Sequence, residues 1–139
     1  MIHSLKDLLK KDTSLSVVSY INEQISKLLG HSLEKNKIFE LSCTTHCFVN
    51  IDAEMNVLGI IVISCKSFLF DNSVFFIEAL ASKDDEQIVE QSLLLKGINH
   101  VGNISNDNKL VSFIADERIQ NDVLTPFGFI RSQGIMVKI

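Results

Sequence analysis

Residues 77–95 read IEALASKDDEQIVEQSLLL, and this stretch decides the fold. Ile77 to Ala81 reads as strand, Ser82 to Glu86 as a polar turn, and Gln87 onward as the start of a helix. Strand, turn and helix in that order bring a helix N-terminus to the end of a strand. There, unpaired backbone N–H groups and the partial positive charge of the helix end favour an anion. The same residues also read as an ordinary acid-capped helix start, with Asp84 or Asp85 as N-cap and Glu86 and Gln87 in the first turn.

Upstream lies strand country. Val74 to Ala81 is apolar enough to be buried on both faces, and Asp71-Asn72-Ser73 marks the turn before it. Val57 to Cys65 is a second, nearly continuous apolar run, which an Asp52 to Asn56 turn joins to Cys47–Ile51 as a hairpin. Before these, SLKDLLKK at residues 4–11 suggests a short helix. Residues 16–29 form a stronger one, with Val17, Val18, Ile21, Ile25, Leu28 and Leu29 on one stripe and Gly30 as a stop. Residues 31–42, with Leu33, Ile38, Phe39 and Leu41, suggest a third helix packed on the first.

Downstream, the wealth of Gly, Asn, Asp and Ser between Gly97 and Asn108 predicts loop, and Leu110 to Ala115 a strand. Glu117 to Leu124 allows at most two helical turns halted by Pro126, and Ile135 to Ile139 a closing strand. A helix between Val74–Ala81 and Leu110–Ala115 makes those strands parallel neighbours. The fold class expected is α/β: a mixed, largely antiparallel central sheet flanked by helices, in one domain over residues 1–139.

Composition narrows the function. The balance of 13 basic and 17 acidic side chains, with no basic block longer than Lys10-Lys11, argues against nucleic acid as a partner. Apolar runs are too short to span a bilayer, and the N-terminus interrupts any signal-peptide core with charge, so no membrane partner and a cytoplasmic location are expected. Three cysteines make no disulfide framework. Cys43, His46 and Cys47 fall short of a zinc ligand set, and consecutive strand residues face opposite sides, so no metal is expected.

The Ile77–Leu95 segment resembles the coenzyme A cradle of the GNAT acetyltransferase superfamily. There the fourth strand reads Ile-x-x-Leu-x-Val, followed by Gln or Arg five positions on, Gly at eight and Gly or Ala at ten. With Ser82 at the Val position, Gln87, Glu90 and Ser92 fall at those places: the spacing is kept and the glycines are gone. Leu58-Gly59 after an acidic turn is similar to the opening of the family's third strand, and Phe127-Gly128-Phe129 to that of its sixth. The element order matches over nearly the whole chain.

The resemblance implies the GNAT-like acyl-CoA N-acyltransferase fold, acetyl-CoA as cofactor and transfer of acetyl to a primary amine. It also implies site residues. Backbone groups of Leu80, Ala81 and Ser82 would bond the pantetheine arm, and Gln87, Ile88, Val89, Glu90, Gln91 and Ser92 would hold the pyrophosphate. Glu90 is expected to set a negative side chain where the pyrophosphate belongs, which weakens cofactor binding. Glu78 falls where several members carry the base that deprotonates the amine. A carboxylate inside an apolar strand is costly unless it faces a polar cleft or is paired; the structural alternatives for Glu78 are an exposed edge or pairing with His100 or His46.

The pattern also departs from the family. Leu124 stands where a tyrosine often protonates the departing thiolate, and Ile119 replaces a frequent Asn that Asn121 recovers only in a shifted register. Tyr20, the only tyrosine, is expected to be a packing residue. Two readings follow: an active N-acetyltransferase, or a catalytically silent GNAT-shaped module that binds a protein or small ligand. The acceptor amine, the protein partner and any homodimer stay open.

Overall fold

The computed structural model describes residues 1–11, 15–34, 37–67, 73–104, 109–132 and 135–138. Seven strands form one sheet: β1 (Ile2–Ser4), β2 (His46–Ile51), β3 (Val57–Ser67), β4 (Ser73–Ser82), β5 (Lys109–Ser112), β6 (Phe129–Ser132) and β7 (Ile135–Lys138). Their spatial order is β1-β2-β3-β4-β5-β7-β6. Every neighbouring pair is antiparallel except β4 and β5, which are parallel as expected. The helix α4 (Gln87–Ile104) makes that crossover.

β3 is apolar from Val57 to Ile63 because both of its faces are covered there. Ile61 and Ile63 pack beneath α4 with Leu93, Leu94 and Val101, while Ile60 and Val62 pack beneath α1 (Leu5–Lys11), α2 (Leu15–Leu29) and α3 (Lys37–Thr44). On α2 the buried Val18, Ile21 and Ile25 lie at helical spacing, and the helix stops at Gly30, where φ is +71°. The hairpin turn is fixed by Asp52, whose Oδ1 accepts from the N–H of Glu54 and of Asn56, both at 2.9 Å.

Several sequence expectations are corrected. Gly97 to Ile104 is helix, since α4 runs to Ile104, and residues 105–108 of the expected loop lie outside the described residues. Gly97 is a contact residue, since a Cβ there would lie 2.7 Å from Ile63 Cδ1. Gly59 has the same cause on β3, where a Cβ would meet Val89 Cγ1 at 2.6 Å. Helix therefore touches sheet through two missing side chains.

The third helix begins later than its composition suggested, at Lys37, and β1 was not foreseen. Pro126 does not halt the segment after Glu117. The helical turn α5 (Glu117–Ile119) passes through a wider π turn at Gln120–Leu124 into a 3-10 turn at Thr125–Phe127 that includes the proline, and the left-handed Gly128 (φ +92°) ends it. The Asp71-Asn72 part of the expected turn lies outside the described residues, and Ser73 opens β4. No described helix is long and apolar enough to cross a membrane.

Candidate active site

β4 and β5 pair only from Val74↔Lys109 to Ile77↔Ser112, and Phe113 N–H donating to the Ile77 carbonyl at 3.3 Å is their last bond. The chain after β5 then turns into α5, while β4 continues to Ser82. From Ala79 to Ser82, β4 is paired among the described residues with β3 alone, so its opposite edge opens into a fork. Leu80 is buried on the α4 side, and Ala81 is half-buried against the α2 side.

Glu78 sits at the apex of this fork. The β3–β4 register slips between Val62↔Ala79 and Ile63↔Ile77, so Glu78 is the extra residue of a bulge. Its side chain is exposed and takes no hydrogen-bond or ion-pair partner among the described residues. Of the alternatives open for Glu78, the exposed edge is the one realised: the bulge turns the carboxylate out of the sheet. Nor do the histidines pair with it. His100 and His46 bond each other, Nε2 to Nδ1, at 2.9 Å.

Beyond Ser82 the chain makes a 3-10 turn, Lys83–Asp85, in which Asp84 and Asp85 adopt left-handed φ values of +59° and +52°. Neither aspartate caps α4, contrary to the acid-capped reading. The first-turn N–H groups of Gln87, Ile88 and Val89 therefore have no partner among the described residues. Ser82 is 8% exposed, and its Oγ is buried without a hydrogen bond. Uncapped donors and an orphaned hydroxyl thus flank the same turn.

Glu90 requires the largest correction. Its side chain is fully buried and does not stand free at the helix end. Arg118, from the first turn of α5, grips it with Nη1 on Oε1 at 2.8 Å and Nη2 on Oε2 at 2.6 Å, and also reaches Asp85 at 3.3 Å. Hydrogen bonding to Glu90 holds the Arg118 pKa above its ordinary value. Gln87 and Gln91 add to this tie, each donating to the Asp122 carbonyl at 3.3 Å. Ser92 Oγ donates to the Val89 carbonyl within the helix, and Ile88 is exposed.

Arg118 is the residue that the sequence reading missed. The chain has only two arginines, and one of them in a short helix after a strand was the available signal. Asp116 caps that helix through the N–H groups of Arg118 and Ile119, which fixes where the guanidinium points.

The remaining candidates separate. Leu124 is fully buried in the core, Ile119 is buried and Asn121 is exposed. Tyr20 is not a packing residue: it is 44% exposed, and its hydroxyl donates to Asn56 Oδ1 beside a hollow of about 250 Å³ that also touches Lys83. His46 contacts Phe75 on the α4 side, whereas Cys47 faces the α2 side, where burial pushes its thiol up to about 12. Cys43 is exposed on α3.

No protein-family model matches the chain, and neither does any curated protein. Solved structures do match its fold. A chain of the NatC complex bound to Gag peptide and CoA superposes with a TM-score of 0.70 at 13% identity, over 99% of this chain and 94% of that one. The Escherichia coli GNAT family N-acetyltransferase YhbS in complex with CoA gives 0.63 at 15% identity, over 99% and 79%. Tetrahymena GCN5 gives 0.56 at 16% identity, over 91% and 90%. The chain has the GNAT acyl-CoA N-acyltransferase fold.

Proposed function

We propose that this protein is an N-acetyltransferase that carries acetyl from acetyl-CoA to a primary amine by direct attack. The observation that carries this reading is the fork between β4 and β5, with an unpaired, exposed Glu78 at its apex. The residues present fit coenzyme A at that place. The open edge of β4 at Leu80, Ala81 and Ser82 suits the amide-bearing pantetheine arm, and the uncapped N–H groups of Gln87 to Val89 suit the pyrophosphate. The buried, unpartnered Ser82 Oγ is a further group that a ligand at this turn would satisfy.

When bound, acetyl-CoA supplies a thioester carbonyl open to attack by an amine. Glu78 takes a proton from the incoming ammonium, freeing the lone pair that attacks. Ion pairing with Arg118 balances the Glu90 charge, so the electrostatic penalty at the helix end falls to Asp84, Asp85 and Glu86, all exposed. Leu124 supplies no proton, so as the C–S bond breaks coenzyme A would leave as the thiolate and take its proton from solvent.

A second reading, a silent module that binds a protein or small ligand, is favoured by one specific feature. The side chains of Gln87 and Gln91 are committed to the π turn at Asp122 and that of Glu90 to Arg118 of α5, which ties the two sides of the cleft together. Calorimetric titration with coenzyme A and acetyl-CoA separates the two. Saturable binding, about tenfold or more weaker than in a glycine-bearing relative, supports the enzyme. Absence of binding up to about 1 mM ligand supports the silent module.

A further inference from the structure

Among the described residues β1 is the edge strand of the sheet, bonded only to β2. Beside it lies a hollow of about 420 Å³, lined by Ile2, His3 and Ser4. Successive residues of a strand point to opposite faces, so a hollow that touches all three follows the open edge of the strand rather than one face. Ile2 and Phe48 give it an apolar floor.

The walls are basic. Lys10 and Lys11 of α1 stand on one side, and Lys96 of α4 on the other, with its Nζ 5.7 Å from the Phe48 ring centroid. Against them stands Asp7 alone. None of these lysines has an ion-pair partner among the described residues. The chain as a whole carries a formal charge of −4, so this concentration of positive charge runs against its composition.

We infer that this edge binds an extended acidic peptide as an added strand. Backbone groups of β1 supply the hydrogen bonds, Ile2 and Phe48 receive an apolar side chain, and Lys10, Lys11 and Lys96 pair with flanking carboxylates. Three residues of strand span roughly 10 Å, so main-chain pairing is short and the lysines set both affinity and choice of partner. Lysines beside an edge also deter unwanted strand pairing, and the experiment separates that role from this one.

The probe is a fluorescein-labelled peptide alternating glutamate with valine, about eight residues long, followed by anisotropy at low salt. Saturable binding is expected, with amide shifts at Ile2 to Ser4 in NMR spectra. Lys10→Glu combined with Lys96→Glu should weaken binding about tenfold or more and make the protein bind the lysine–valine counterpart instead. A glutamate–valine peptide N-methylated at every residue should lose binding, because strand addition needs its N–H groups and methylation of alternate residues alone would leave one edge free. The proposal is overturned by no saturation up to about 1 mM peptide, by unchanged affinity in the charge-reversed protein, or by undiminished binding of the N-methylated peptide. Complete displacement by inorganic phosphate at constant ionic strength would equally overturn it, as the mark of a small-anion site. None of these readouts depends on coenzyme A.

Discussion

Glu90 and Arg118, 28 positions apart in the chain, meet as a two-pronged ion pair that joins the first turn of α4 to the first turn of α5. The carboxylate is buried and the guanidinium partly solvated, with a side-chain exposure of 30%. Removing one partner strands the other. Arg118→Met should therefore destabilise the fold by about 2–4 kcal/mol, below the cost for a wholly buried pair because Arg118 keeps water contact. Pairing it with Glu90→Met should recover most of that loss in urea titrations.

Glu78→Gln tests the chemistry without threatening the fold. Because the side chain is exposed and unpaired, stability should change by no more than about 0.5 kcal/mol. Turnover of an amine substrate should fall about a hundredfold, with coenzyme A affinity held, as expected for loss of a general base. Full activity in the variant would remove Glu78 from the mechanism.

His100 makes the protein acid-sensitive. Burial first, then the charges of His46 and Lys96, depress its pKa below 6.5. A depressed histidine binds its proton more readily in the unfolded chain, so its contribution is complete above about 6.5 and fades as the pH drops through its lower folded value. Urea midpoints should fall between about pH 7.5 and 5.5 in the wild type. His100→Gln should flatten that dependence, and an equal slope in the variant would place the sensitivity elsewhere.

The two contact glycines should differ in cost. At Gly97 a methyl meets only the flexible side-chain ends of Ile63 and Ile61, at 2.7 and 3.2 Å, and no backbone atom. At Gly59 it meets the stiff Val89 Cγ1 and lies 3.1 Å from the Ala81 carbonyl oxygen. Gly59→Ala should cost about 2–3 kcal/mol and Gly97→Ala about 1 kcal/mol, measured by thermal or urea unfolding.

The parts of this molecule that were legible in its sequence are those set by local rules. Apolar runs gave β3 and β4, spacing gave α2, and the crossover rule gave the parallel pairing of β4 with β5. Gly97 misled because composition reads a glycine as chain flexibility, whereas here it serves a contact with Ile63, which is distant in sequence. Glu90 misled for the same reason, since its partner lies across a crossover. Glu78 was found as a candidate, but the choice between an exposed edge and a buried pair stayed open, because a bulge is a mismatch between two strands and has no signature in one.

The short seam between β4 and β5 divides the molecule mechanically. Among the described residues, four pairs join a broad leaf of β1 to β4 to a narrow leaf of β5, β7 and β6, and within the narrow leaf β5 meets β7 through only Val111↔Val137 and Ser112↔Met136. Met136, 2% exposed, is among the few buried anchors of that leaf. Thermal opening should thus begin at the chain's C-terminal strands, swinging the narrow leaf outward while the broad one stays closed. Amides of Ile130 and Val137 would then trade hydrogen with solvent long before those of Ile61 and Ile63.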